Sequence, residues 1–266
     1  MTRGILVVGN ESPLVSAVAA EAAKRVSRFA FVLIPNRLSE QSRNDSLLQA
    51  AGRPSRREIP SSFRFAAPPR KEAGTLGLKT ETPHPAAESG EPEDPVVSLQ
   101  WNPGSPIAAR TLILSAENRL ERIDNAILVC TPPAFRKPAA ELPPADIDIM
   151  INDHVKGWFF LVRELAALFH TRKSGALALA LSDLNVGGVN EAAPDLLGPP
   201  AAAAFRAFAQ SLLSCAGNEP YLTMGFSSTE IGEEGDFAAF IFKLIDEGNR
   251  RNNGKWHKHG RLGFFR

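Results

Sequence analysis

Two cysteines in 266 residues, Cys130 and Cys215, are too few for a disulfide framework, so free thiols in a reducing compartment are expected. There is no excess of charge of either sign: 30 Lys and Arg stand against 29 Asp and Glu. Without a global field, neither nucleic acid nor an anionic membrane is an expected partner. Long hydrophobic runs are missing as well. "GWFFLVRELAALF" and "GALALAL" are too short or too interrupted to span a bilayer. The apolar run Ile5–Val8 is far shorter than a signal core, and a cytoplasmic protein is expected. No G-x-S-x-G elbow, P-loop or paired-cysteine zinc spacing occurs. His257 and His259 lie two apart on one face of a strand with no third ligand nearby in sequence, so no metal is expected.

What is present is a soluble composition, 44% hydrophobic and 22% charged, and a regular alternation of strands and helices. Met1–Val8 reads as a strand, and Ser12–Val26 as an alanine-rich helix. "RFAFVLIP" is a second strand, and "LSEQSRNDSLLQAAG" a modest helix ending at Gly52. Residues 53–95 then break the pattern with eight of the 21 prolines. Their charge is divided, seven Lys or Arg and two Asp or Glu through Lys79, then five acids and no base. This segment reads as a disordered or loosely ordered insertion, a spacer or a docking segment. Order resumes at "VVSLQW" and continues through "SPIAARTLILSAENRLER", "IDNAILVC", a long helix from Asp146 to Phe169, "GALALALS", "AAAAFRAFAQSLLSCAG", "YLTMGFSS", "DFAAFIFKLIDEGN" and "GKWHKHG". The expected fold is a single α/β domain over residues 1–266, a parallel sheet of about seven strands with helices on both faces.

The order and the local residues together resemble the short-chain dehydrogenase/reductase family, and the resemblance implies a Rossmann-type doubly wound parallel sheet. "LERIDNAILVC" is similar to the family's "fGxiDxLVnNAG" strand, with Asp124 and Val129 on family positions. "DHVKGWFFLVREL" is similar to "vNlxGxfxxxra", with Gly157, Phe159 and Arg163 in register. "KSGALALALS" resembles "GGSIVNISS", and "AAAAFRAFAQSLL" resembles the helix after the catalytic lysine, with Phe208 and Leu212 matching.

Against that pattern the chain departs at two places. The glycine motif T-G-x-x-x-G-x-G falls on Val8 to Val15, where only Gly9 remains. Pro13 has no N–H to offer a phosphate, Val15 is branched, and Glu11 adds a negative charge. Ser12-Pro13 is at the same time a good helix start. The resemblance leaves Gly9 and Arg37 as cofactor-binding candidates; Arg37 follows the second strand, where the family often places an arginine for the 2′-phosphate, so NADP is favoured over NAD.

The second departure is in the catalytic set, which the resemblance implies is a tyrosine acid/base, a lysine four residues on, a serine and an asparagine. The chain has one tyrosine, Tyr221, at the start of a late strand. The tyrosine and lysine positions fall near Gly198 and Ala202 in "LLGPPAAAAF", which holds no acid, base or cation. Ser182 lies at or beside the serine position, and His154 at the asparagine position. Each has an ordinary alternative, a strand-end cap for Ser182 and a local hydrogen bond for His154. Cys130 reads as a buried thiol, followed by two prolines that remove backbone donors.

Two functions stay open at this point. One is a reductase-like scaffold without dehydrogenase activity, serving binding or assembly as a homo-oligomer or with a related reductase, through helices 146–169 and 201–216. The other is an NADP-dependent oxidoreductase with replaced catalytic groups. A docking role for residues 53–95 is a further possibility.

Overall fold

The computed structural model describes residues 3–26, 29–38, 96–182, 195–230 and 232–260. The expected helix over "LSEQSRNDSLLQAAG", apart from Leu38, and the insertion at 53–95 lie outside these residues.

Seven strands form one parallel sheet: β1 (Ile5–Asn10), β2 (Phe29–Ile34), β3 (Val96–Leu99), β4 (Asn125–Cys130), β5 (Ala176–Ser182), β6 (Leu222–Ser228) and β7 (Lys255–His259). Their spatial order is β3-β2-β1-β4-β5-β6-β7. Strand order reverses between β1 and β4, the topological switch point of a doubly wound sheet. β1, β4 and nearly all of β5 are buried along their whole length, as parallel strands covered on both faces must be. Leu6, Val8, Leu128 and Leu179 point to one core, shared with Trp158, Leu165 and Phe205. Ile5, Val7, Ile127 and Val129 point to the other, shared with Val15, Phe237 and Ile241.

Six α-helices are described: α1 (Pro13–Ala23), α2 (Pro106–Leu120), α3 (Pro144–Ile151), α4 (Gly157–Arg172), α5 (Gly198–Cys215) and α6 (Glu234–Glu247). α1 and α2 begin alike. Ser12 and Ser105 are N-caps whose hydroxyl oxygens accept from Val15 N and Ala108 N, each at 3.2 Å, with proline at the first helical position. The expected single helix from Asp146 to Phe169 is instead α3, a π-helical turn at Asn152–Lys156, and α4. It starts two residues earlier, at Pro144, and runs to Arg172, where Lys173 stops it in the left-handed region at φ 56°. No helix among the described residues is long and apolar enough to cross a membrane.

Asp124, matched to the family on sequence, is a strand clamp. Its Oδ2 accepts from Gly4 N at 3.0 Å, and its own N–H donates to the Gly4 carbonyl at 2.8 Å. At the same amino-terminal edge, Arg25 pairs with both Glu21 and Asp246, which tethers the end of α1 to α6; Lys24 also reaches Glu21, and Arg3 reaches Asp246. The Arg25 guanidinium lies 4.7 Å from the centroid of Phe242. Hydrogen bonds from Lys24 and Arg25 hold Glu21 below the ordinary carboxylate range. Burial pushes Asp246 up, but Arg25 and Arg3 outweigh it and hold it low.

A depressed carboxylate adds stability above its unfolded pKa near 4, and that stability is lost as pH falls through the folded value. These groups are partly solvated, so the contribution of Asp246 is about 1 kcal/mol. Asp246→Asn is expected to lower the Tm by about 2–4 °C at neutral pH and by nothing measurable near pH ~2.5, as read by thermal denaturation at the two pH values.

Candidate functional site

An open α/β sheet offers its ligand crevice at the carboxyl ends of the strands, at the switch point. Here that place lies between the ends of β1 and β4. Asn10 ends β1, and its neighbours in register are Ile34 on β2 and, one residue earlier, Val129 beside Gly9 on β4. The β1–α1 turn is closed by Ser12. Its carbonyl accepts from Ser16 N at 3.1 Å, its hydroxyl caps Val15, and it also receives a hydrogen bond of 3.0 Å from the Thr131 hydroxyl just after β4. The Ser12–Thr131 bond crosses the switch point.

Gly9 is fixed by packing. A Cβ there would lie 2.5 Å from a Val15 methyl and 2.9 Å from the Val129 carbonyl oxygen. Arg37 turns inward: its guanidinium donates to Asn102 Oδ1 at 3.1 Å and lies 3.5 Å from Asp153 Oδ2. Asp153 is only 1% exposed. Burial pushes its carboxyl up, and the Arg37 charge partly offsets this. Sequence pattern alone did not single out Asp153, because an acid at the start of a helix is unremarkable until its burial is known.

His154 follows Asp153 in the π-helical turn and is equally buried. A π-turn of this kind is a frequent feature of functional sites. Burial drives the His154 pKa down to about 4, so the imidazole is neutral at physiological pH, and its Nδ1 has no hydrogen-bond partner. Cys130, at the end of β4, is a buried thiol whose pKa burial pushes up, which leaves it without thiolate character. Ser182 ends β5 half-buried and pairs in register with Ser228.

The positions expected for the tyrosine and lysine lie on α5. Gly198 N donates to Asp195 Oδ1 at 2.9 Å, and Leu197 N donates to the same oxygen at 3.1 Å. A Cβ at Gly198 would stand 2.4 Å from Asp195 Oδ2, so a side chain there would have to displace this capping carboxylate. Ala202 packs against the core. Tyr221 lies before β6, at the amino-terminal edge of the sheet and opposite the crevice. Burial, with the Glu219 charge, pushes its phenol up to about 12. It lines a pocket of about 400 Å³ with His170 and Glu219, which are paired at 2.9 Å.

His257 stacks on Phe226 at 5.4 Å and His259 on Phe237 and Phe240 at 5.5 Å. No group of three or more His, Cys, Asp or Glu side chains able to hold a metal occurs among the described residues.

Solved structures share this architecture. Levodione reductase superposes with a TM-score of 0.63 at 13% identity, covering 96% of this chain and 95% of that chain. The chain has the short-chain dehydrogenase/reductase fold. A short chain dehydrogenase from Mycobacterium smegmatis gives 0.62 at 14% identity over 98% and 93% of the two chains. An NADH-dependent reductase complexed with NAD gives 0.62 at 10% identity over 97% and 95%. No family model and no curated protein matches the sequence.

A dinucleotide requires backbone donors and a cleared turn for its pyrophosphate. The described residues do not fit one. The Val15 and Ser16 N–H groups are already taken by Ser12, Pro13 has none, and a Val15 methyl fills the space over Gly9.

His154 gives the site a pH signature. Its folded pKa lies below the unfolded value of 6.5, so stability is complete above that value and falls as pH drops toward about 4. The full loss is about 3 kcal/mol. Urea titrations between pH ~7 and ~4.5 are expected to show a fall in stability that is about 2–3 kcal/mol smaller in His154→Asn than in the wild type.

Proposed function

We propose that this chain is a divergent cytoplasmic relative of the short-chain dehydrogenases/reductases that does not transfer hydride and serves as a binding or assembly subunit. The observation that carries the reading is the capped start of α5. Where the acid/base pair would stand there are Gly198 and Ala202, and the space at Gly198 is taken by the Asp195 carboxylate. Without a phenol and its adjacent cation no group there exchanges protons with a carbonyl substrate. The nearest replacement, His154, is a neutral imidazole with a pKa of about 4, poorly matched to acid catalysis at neutral pH. The structural neighbours are reductases and dehydrogenases by name, and the reading departs from theirs on these residues.

The assembly role rests on the outer faces of α4 and α5. Phe159 is 49% exposed, and its ring centroid lies 4.1 Å from that of Phe208 across the two helices. α5 also exposes Ala203 and Ala207, and α4 exposes Ala167, two turns beyond Phe159. Small side chains about an aromatic anchor permit close helix–helix approach, and full burial of one phenylalanine contributes roughly 1.5–3 kcal/mol. A second copy of the chain, or a related reductase with the same two helices, is the partner proposed.

Two measurements test this. The purified protein is expected to leave NADPH and NADH unoxidised in the presence of a panel of ketones and aldehydes; turnover above the buffer rate would reject the reading. Sedimentation is expected to give a dimer or larger species that Phe159→Asp converts to monomer, with dissociation increased at least ~100-fold. A monomeric wild type at micromolar concentration would remove the homo-oligomer.

A further inference from the structure

Three features from different parts of the chain converge on the crevice. The Ser12–Thr131 hydrogen bond ties the β1–α1 turn to the connection after β4. Arg37, three residues past β2, reaches Asn102 beyond β3 and the buried Asp153. Leu38, Phe135, Met150 and Ala201 form an apolar cluster of their own, separate from the cores on the two faces of the sheet. Leu38 follows β2, Phe135 follows β4, Met150 is on α3, and Ala201 is in the first turn of α5. β2 and β4 flank β1 in the sheet, so a cluster joining their connections passes over the carboxyl end of β1. Val155 and Leu197 pack against it from the sides, and an antiparallel bridge from Arg136 to Asp195 lies beside it.

We propose that this crevice is a filled, structural part of the core from which NAD and NADP are both excluded, and that Arg37 is a latch to Asp153 and Asn102 rather than a phosphate ligand. The inference rests on the reading that the chain does not transfer hydride, and it reaches past that reading, because an inactive protein can still hold a cofactor. The buried polar atoms nearby do not restore a ligand site. Both atoms of the Asn10 amide, the Trp101 Nε1 and the His154 Nδ1 lack a hydrogen-bond partner, but each atom is inaccessible to solvent. A ligand group would reach them only by displacing the side chains that cover them. Arg37 is partly exposed, whereas its partner carboxylate is buried, so removing the arginine leaves a buried charge uncompensated.

The test uses the full chain. Thermal unfolding is measured alone and with millimolar NADPH or NADH, for wild type, Arg37→Ala, Asp153→Asn and the double variant. The expected result has four parts: no Tm rise with either nucleotide; a Tm loss of ~5–10 °C for Arg37→Ala; a smaller loss for Asp153→Asn; and a double variant less damaged than the sum of the two. Arg37→Lys, which keeps the charge but not the fork, is expected to fold with an intermediate Tm and serves if Arg37→Ala does not fold. A Tm rise of the wild type with NADPH that disappears in Arg37→Ala or Arg37→Lys, with the unligated Tm unchanged, would overturn the proposal. Nucleotide binding without oxidation sinks the sealed crevice alone, whereas oxidation of NADPH with a carbonyl compound also sinks the non-enzymatic reading.

Discussion

The distance between α1 and the sheet is set at one contact, where the Val15 side chain rests on Gly9. A side chain at Gly9 would collide with both the Val15 methyl and the Val129 carbonyl, so β1, α1 and β4 approach as closely as they do only because this position is glycine. In a dinucleotide-binding turn the close approach of helix to strand is provided by a glycine on the helix, and the bulk over the turn is the pyrophosphate. Here the helix position carries the branched Val15 while the strand keeps Gly9, the one glycine of the family pattern that remains, so the volume over the turn belongs to the protein. The same contact holds the first turn of α1 in place, which puts Ser12 within reach of Thr131.

Filling the crevice with protein has a polar cost. Few buried polar atoms in a native structure lack a partner, and here several gather at one edge: the Asn10 amide, the indole nitrogen of Trp101 and the His154 Nδ1. Each desolvated orphan costs about 1–3 kcal/mol. The opposing terms are on the same edge. Trp158 packs edge-on against Phe205 at 5.2 Å and tilted against Trp101 at 6.2 Å, and Leu38, Phe135 and Met150 bury their side chains together. Gly157 permits this packing, since a Cβ there would lie 2.6 Å from Pro103 Cβ. The glycine that matches the family's helix pattern is thus accounted for by contact with the connection after β3.

The sheet was legible in the sequence because fully buried parallel strands are continuous apolar runs: the strands expected at Met1–Val8, "IDNAILVC" and "GALALALS" are β1, β4 and β5, with β1 starting at Ile5 and running two residues further, to Asn10. The Ser-Pro starts of α1 and α2 were legible for a local reason, a cap followed by a preset φ. The departure from the family's tyrosine and lysine positions is a matter of composition, since the single tyrosine stands before β6, at the opposite edge of the sheet. The π-turn at Asn152–Lys156 was not, because one extra residue in a turn changes the side-chain pattern too little to show against the apolar period of α4. Nor was the direction of Arg37, which depends on Asp153, more than a hundred residues away. The cluster of Leu38, Phe135, Met150 and Ala201 draws one residue from each of four segments, and periodicity within any one of them carries no trace of it.

The two departures from the family pattern, in the glycine turn and in the acid/base pair, are coupled through this cluster. A crevice that must admit a dinucleotide has to stay open, and apolar side chains facing it remain in water until the ligand covers them. Once no lysine holds the ribose and no phenol serves the substrate, that restriction is lifted and apolar filling becomes stabilising. Burial of Leu38, Phe135 and Met150 contributes roughly 1.5–3 kcal/mol apiece, about 5–9 kcal/mol together. That is a large share of the 5–15 kcal/mol by which a whole domain is typically stable. It is also about what a ligand gains by binding at micromolar Kd, roughly 8 kcal/mol. A dinucleotide that had to displace the cluster would spend most of its affinity doing so, and the turn that would otherwise strengthen its hold has Pro13 and Val15 in place of donors and space.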